Sequence, residues 1–113
     1  MTVFDRGDIV RVELGAAQGT GVQSVQRLAL VLTTADFNQL GEAIVAAITL
    51  DGDIARYAGF AVQLGQVEAD TVGVVLVNRI QSLDLQACNA QQVKRVAMDV
   101  MDDVMARLMV LFE

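Results

Sequence analysis

Several short strand-like segments followed by one long amphipathic segment constrain the fold of this chain more than any other feature of its sequence. Apolar and charged residues nearly alternate over Asp8–Leu14, which predicts a half-buried strand. Four further segments are predicted to be strands: 28–33, 43–50, 60–64 and 72–83. Short strands that precede a single late helix predict a mainly β (α+β) fold, a small barrel capped by a helix.

The late segment, 97–112, has the spacing of an amphipathic helix. Val100, Val104, Leu108 and Leu111 recur on one face, and three methionines widen this apolar stripe. Aspartates in the first turns and an arginine further along suit the helix dipole. The segment is therefore predicted to be a C-terminal helix that packs on the sheet.

A shorter helix is predicted over 34–40. Thr33 or Thr34 can cap its first turn, and Gly41 can end it. Glycines and small polar residues between the predicted strands mark loops and turns. These predicted loops and turns are 15–26, 51–53 and 65–71.

The composition indicates one packed domain, residues 1–113. Hydrophobic residues make up 54% of the chain and charged residues 19%, so apolar surface is expected to remain after folding, which favours a homodimer. The longest apolar run, 43–48, is too short to span a bilayer, and no export signal is visible, so no membrane contact is expected. A single cysteine, Cys88, fits a reducing cytoplasm.

The charge of the chain argues against a strong general affinity for nucleic acids. Eight basic residues stand against 14 acidic ones, which gives a net charge of −6. Proteins that hold nucleic acid usually present Lys and Arg to the phosphates. A local group of arginines can still form a site, because net charge does not describe how charge is distributed.

The absence of histidine from the sequence removes whole classes of catalytic site. Ser-His-Asp triads, Cys-His pairs and histidine metal sites are all excluded. The acidic pair Asp51 and Asp53 lacks the remaining ligands of a calcium loop, so it is interpreted as a turn. We therefore expect neither a metal nor another cofactor.

Arg27 and Thr49 remain as candidates for phosphate chemistry. A guanidinium suits the charge that builds on a phosphate under attack, and a threonine hydroxyl can hydrogen-bond the same group. Arg27 begins a predicted strand and Thr49 lies near the end of another. The alternative is an ordinary solvated arginine at a strand edge, and residue types alone leave both interpretations open.

Five sequence blocks occur in a fixed order along the chain. They are FDRGDIV (4–10), ALVLT (29–33), FNQLG (37–41), ARYAGFAV (55–62) and GVVLVN (73–78). Together they resemble the MazF/PemK toxin family, and within it the ChpB-like members most, over roughly residues 4–113. The resemblance implies an SH3-like barrel of the CcdB/Kid/PemK type with a short helix and a C-terminal helix.

The resemblance also implies a function, the toxin of a type II toxin–antitoxin system. Such a toxin is a dimeric, metal-independent, sequence-selective endoribonuclease, with an antitoxin peptide and single-stranded RNA as partners. The family's catalytic arginine stands where this chain has Arg27, and its active-site threonine stands where the chain has Thr49. The RNA-binding residues predicted with them are Arg79, Asn78, Gln81 and Arg56.

Polar positions of the family pattern are replaced in this chain. A Gly-His-Glu-Gln-Gln-Gly loop is matched by a stretch with Thr20 at the histidine and Gly21 at the glutamate, and Cys88 replaces an arginine. These losses predict reduced cleavage, since two side chains that could transfer protons are gone. The alternative is a catalytically impaired or engineered dimer that acts only as a binding or scaffold module. A gyrase poison of the CcdB type is a further alternative, based on fold analogy alone.

Overall fold

A computed structural model describes residues 2–15, 25–50, 59–68 and 71–113 of the chain. Within these ranges the chain forms six strands and two helices, so the predicted mainly β fold with a short and a C-terminal helix is confirmed. No helix in this part of the chain has the length and apolar character needed to cross a membrane. The elements are β1 (Asp8–Leu14), β2 (Val25–Val31), α1 (Ala35–Asn38), β3 (Ala43–Thr49), β4 (Ala61–Glu68), β5 (Thr71–Leu83), β6 (Gln91–Arg95) and α2 (Met98–Val110).

The six strands form one curled antiparallel sheet, a half-barrel with the order β4-β5-β3-β2-β1-β6. Strand β4 lies at one edge of this order, and β1 and β6 lie at the other. Side chains nevertheless join the two edges. Arg11 of β1 forms an ion pair with Glu68 of β4, and Lys94 of β6 donates a hydrogen bond to the Gln66 carbonyl of β4. The sheet is therefore curled until its edges meet through polar contacts.

Two apolar clusters cover the two faces of the sheet. The inner cluster includes Ile9 and Leu30 and receives α2 through Met101, Val104 and Leu108. The outer cluster lies on the opposite face, because alternate residues of a strand point to opposite sides. It consists of Phe4, Val10, Val12, Ala29, Val31, Ala43, Val45 and Leu85. Both faces of the central strands are thus apolar, as a largely buried sheet requires.

The start of α1 is fixed by an aspartate rather than by the predicted threonine cap. Thr34 occupies the N-cap position, but its side chain makes no capping hydrogen bond. Asp5 Oδ1 accepts a hydrogen bond from the Ala35 amide at 2.8 Å and another from the Arg6 amide at 2.8 Å. These two backbone donors lower the pKa of Asp5, since they stabilise its ionised form. No local sequence pattern marks this contact, because Asp5 and Ala35 are distant in the chain.

Several strand boundaries differ from the prediction, and two predicted loops are affected. β2 begins at Val25, so the predicted loop 15–26 is wrong at its last two residues. The predicted loop 65–71 is also wrong, because β4 continues to Glu68 and β5 begins at Thr71. Pairing with β5 compensates for the polar composition of this part of β4, and cross-strand contacts commonly outweigh intrinsic propensity. The predicted turn 51–53 lies outside the described residues.

Strand β6 was not predicted at all. It pairs with β1 at the edge of the sheet, and Val93 is its one half-buried apolar residue while its other side chains are exposed. An exposed edge strand needs no alternation of apolar and polar residues, so the usual sequence signal was absent.

Candidate functional site

Arg27 and Thr49 lie side by side where the pairing between two neighbouring strands ends. The last pair between β2 and β3 is Leu28 with Ile48, and Arg27 and Thr49 are the next residues beyond that pair. Both residues line one cleft with a volume of about 500 Å³. The structure therefore brings together the two residues that the sequence analysis proposed as a catalytic pair.

This cleft lies where the wall of the half-barrel is incomplete in the described residues. The segment 25–27 of β2 pairs with β1, but β3 ends at Thr49 and does not continue beside it. Residues from both faces of the sheet can therefore line the same opening. Among the described residues, the lining consists of Arg11, Gln26, Arg27, Leu28, Ile48, Thr49, Leu50 and Glu68.

The Arg27 guanidinium is accessible to a ligand. Its side chain is exposed, and its Nη1 atom donates a long hydrogen bond of 3.5 Å to the Gln26 carbonyl. A contact of that length is weak and easily exchanged for a stronger acceptor. A phosphate oxygen is such an acceptor, because hydrogen bonds between ionised groups are shorter and stronger than neutral ones.

The cleft also contains an ion pair that the sequence analysis missed. Arg11 and Glu68 contact each other in it, and their side chains are 35% and 30% exposed. Glu68 Oε1 is buried and accepts no hydrogen bond within the described part of the chain, so the charge of Arg11 is what compensates it. No pattern in the sequence marks this pair, because Arg11 and Glu68 are far apart in the chain and meet only through the curl of the sheet.

Gln81 joins Arg27 in a second, smaller cleft. This cleft of about 170 Å³ lies over the outer cluster, and Val12, Ala29 and Val45 contribute to its walls. Gln81 pairs with Val45 across β3 and β5, which places it beside the outer cluster. The structure thus places one predicted RNA-binding residue next to the predicted catalytic arginine.

The other predicted RNA-binding residues are not brought to these two clefts. Asn78 and Arg79 are exposed on β5, where the register against β3 shifts between Leu76 and Ile80. They line neither the cleft of Thr49 nor that of Gln81. Arg56 lies outside the described residues.

Cys88 is half-buried and packs against the outer cluster. Burial raises the pKa of its thiol, and the nearby Asp84 carboxylate raises it further. A raised pKa keeps the sulfur protonated, and a protonated thiol is a much poorer nucleophile than a thiolate. Cys88 therefore has the properties of an unreactive thiol.

A different cavity, of about 280 Å³, lies beside α1 and the chain start. Its charged lining residues are Glu42 and Asp84, and Phe4 and Leu85 supply apolar surface. Two carboxylates without a basic residue in the lining would repel a phosphate. This cavity therefore does not compete with the cleft of Arg27 as a site for an anionic ligand.

Comparison with known proteins gives a consistent group of relatives. A family model described as the PemK-like, MazF-like toxin of type II toxin–antitoxin systems matches residues 5–112. The endoribonuclease toxin ChpB of Escherichia coli K12 is 46% identical over 110 residues, which are 97% of this chain and 95% of that protein. Endoribonuclease PemK of Escherichia coli is 35% identical over 106 residues, 93% of this chain and 79% of that protein.

Solved structures show the same fold. A MazE–MazF crystal structure from Deinococcus radiodurans (Form-II) has a TM-score of 0.82 at 28% identity, and the match covers 99% of this chain and 97% of that one. A mycobacterial endoribonuclease in complex with its cognate antitoxin has a TM-score of 0.72 at 16% identity and covers 96% and 93% of the two chains. At that identity the second structure supports the fold alone.

Proposed function

Because the chain belongs to the PemK-like, MazF-like toxin family of type II toxin–antitoxin systems, we propose that it is a metal-independent, sequence-selective endoribonuclease that acts on single-stranded RNA. Membership of this family, predicted from the sequence, is confirmed. The observation that carries the proposed activity is the placement of Arg27 and Thr49 in one cleft, beside the point where β2 and β3 stop pairing.

The proposed reaction uses the RNA, the residues of this cleft and water, which exchanges the protons. The 2′-hydroxyl of one nucleotide attacks the adjacent phosphorus, the bond to the 5′-oxygen breaks, and a cyclic 2′,3′-phosphate and a 5′-hydroxyl result. The Arg27 guanidinium stabilises the negative charge that develops on the non-bridging oxygens. The Thr49 hydroxyl hydrogen-bonds the same phosphate and holds it in line for attack.

Proton transfer is the slow part of the proposed reaction. The chain has no histidine, and the family's loop glutamate is replaced by Gly21. Without a positioned acid or base, the proton of the 2′-hydroxyl and the proton taken up by the 5′-oxygen exchange with water. Positioned acids and bases usually contribute about 10²–10⁴-fold, so cleavage by this chain is slower than that of a family member that keeps them.

We assign the RNA contacts to the residues predicted from the family pattern. Gln81 stands beside Arg27 in the smaller cleft, so its amide can contact a nucleotide whose phosphate Arg27 binds. Asn78 and Arg79 precede Gln81 on β5, and we assign them to neighbouring nucleotides. Arg56 is assigned as an RNA contact from the family pattern. With a net charge of −6 the chain binds RNA weakly in general, so these contacts act locally.

The partners follow from the same family. The Deinococcus radiodurans structure named above is of MazF with MazE. We propose that an antitoxin peptide binds this chain too and that the protein works in the cytoplasm, where its RNA substrate is found.

A homodimer is the expected solution state. Exposed apolar side chains are numerous for a chain of this size, including Leu40 at 81%, Met98 at 81% and Phe112 at 69% exposure. Such surface is usually covered by association. Light scattering at micromolar concentration should report about twice the chain mass of 12.1 kDa. A monomer under these conditions would contradict the expectation.

A cleavage assay in EDTA tests the proposed activity directly. Single-stranded RNA incubated with the purified chain should be cut at discrete positions, and EDTA should leave the pattern and rate unchanged because no step uses a metal. Cleavage that EDTA abolishes would contradict the mechanism. Intact RNA at high protein concentration would favour the impaired, binding-only dimer, which the replacements at Thr20, Gly21 and Cys88 support.

A further inference from the structure

The Arg11–Glu68 ion pair is the unexplained feature of the cleft. It joins β1 to β4 within the opening that Arg27 and Thr49 also line. Arg11 lies on the face of β1 that carries Ile9, and Arg27 lies on the face that carries the outer-cluster residue Ala29. The two guanidinium groups therefore reach the cleft from opposite faces of the sheet.

The shape of the opening makes a shared ligand feasible. Strand β3 ends at Thr49, so in the described residues no strand separates the two faces beside the segment 25–27 of β2. A volume of about 500 Å³ is enough for a phosphate with part of its sugar. A single-stranded backbone that crosses this opening presents successive phosphates to both faces.

We propose that Arg11 is a second phosphate-contacting cation of this site and that Glu68 holds and neutralises it until RNA binds. This inference rests on the proposed function. In the free protein the pair is nearly neutral, and Glu68 keeps Arg11 in place beside the opening. When RNA enters, a phosphate replaces the carboxylate as the partner of Arg11, while Glu68 remains as a local negative charge that opposes binding.

The partial exposure of the pair supports such an exchange. Side chains that are 35% and 30% exposed are not locked in an apolar interior, so the ion pair is only moderately stable. Glu68 Oε1, the atom that contacts Arg11, accepts no hydrogen bond within the described residues, and Arg11 lines the cleft. A phosphate can therefore compete for Arg11 without unfolding the edge of the sheet.

The test is binding of a mixed-sequence single-stranded RNA whose 2′-oxygens are methylated, so that it cannot be cleaved. Fluorescence anisotropy at several salt concentrations gives both affinity and salt slope. Glu68→Gln should tighten binding by about threefold to tenfold, because it removes a negative charge and releases Arg11. Arg11→Gln should weaken binding and reduce the salt slope by about 0.7, the value for one phosphate contact on a single strand.

Matched controls separate this role from bulk charge and from folding. Asp103 and Arg107 form a comparable ion pair at 2.9 Å on α2, outside the cleft. Asp103→Asn and Arg107→Gln change the net charge by the same amounts as the two test variants and should leave affinity nearly unchanged. The double variant Arg11→Gln/Glu68→Gln should regain part of the lost affinity but not the lost salt slope, and melting curves should show all variants folded.

Any of the following outcomes would overturn the proposal. Weaker binding by both Glu68→Gln and Arg11→Gln, in step with lower melting temperatures, would make the pair a structural tie between β1 and β4. Equal tightening by Asp103→Asn and Glu68→Gln would reduce the effect to net charge. If neither Arg11→Gln nor Glu68→Gln changes RNA binding, this inference is overturned but the proposed function is not. A complete lack of RNA binding by every variant would overturn the proposed function with it.

Discussion

Cleavage of single-stranded RNA is expected to fall by about 10²–10³-fold when Arg27 is replaced with alanine. Charge develops on the non-bridging phosphate oxygens as the 2′-oxygen attacks, and the guanidinium is the group placed to stabilise it. Arg27 is exposed and makes a weak 3.5 Å hydrogen bond, so the substitution removes little from the folded structure. Single-turnover cleavage rates in EDTA, measured with saturating protein, isolate the chemical step.

Three further variants test whether the loss of cleavage is specific to the Arg27 guanidinium. Thr49→Ala should be milder than Arg27→Ala, since it removes an orienting hydrogen bond rather than a charge. Arg27→Lys keeps the charge but lacks the planar fork, so it should recover only part of the activity. Arg107→Ala removes one positive charge outside the cleft and should cut normally. Undiminished cleavage by Arg27→Ala would show that the family's catalytic arginine has been placed at the wrong residue.

The fold could be predicted where burial is periodic along the sequence. β1 was predicted with its observed bounds, Asp8–Leu14, because its apolar residues recur along the segment, and Ile9, Val10 and Val12 are buried in the two apolar clusters. α2 was predicted because Val104 and Leu108 recur at helical spacing and both are buried. These patterns depend on local geometry, which a sequence records directly.

The errors lie where pairing rather than burial forms the strand. The end of β4 is polar and glycine-containing, yet it pairs with β5 as far as Glu68. β6 is exposed and has no alternation, yet it pairs with β1. Backbone hydrogen bonds to a neighbouring strand stabilise both, and a neighbour distant in sequence leaves no local pattern.

The site residues also divide into those that a sequence pattern predicts and those that it does not. Arg27 and Thr49 were identified because a family pattern marks them, and the register of β2 against β3 then places them side by side. Arg11 and Glu68 carry no such mark. Their contact exists because the curled sheet returns β4 to β1, which no property of either residue foretells. Tertiary ion pairs of this kind become visible only when the topology is known.

The second large effect is a gain of activity. Restoring the family's polar residues with Thr20→His, Gly21→Glu and Cys88→Arg is expected to raise the cleavage rate by about 100-fold, at the lower end of what a positioned acid or base contributes. Thr20 and Gly21 lie outside the described residues. Cys88 is half-buried beside Asp84, so an arginine there gains an acidic partner as it extends toward solvent. Cleavage rates in EDTA compare the triple variant with the starting chain.

Partial variants assign this gain to its causes. Cys88→Arg alone adds a cation without a proton-transfer group, so it should strengthen RNA binding more than it raises the rate. Thr20→His/Gly21→Glu alone should raise the rate and introduce a pH dependence near neutrality, because imidazole titrates there. Adding Arg27→Ala to the triple variant should remove most of the gain, since proton transfer assists a transition state that Arg27 must still stabilise. A starting chain that is already toxic to cells at low expression would contradict the premise that the replaced residues limit cleavage, and it would mean that Arg27 and Thr49 suffice.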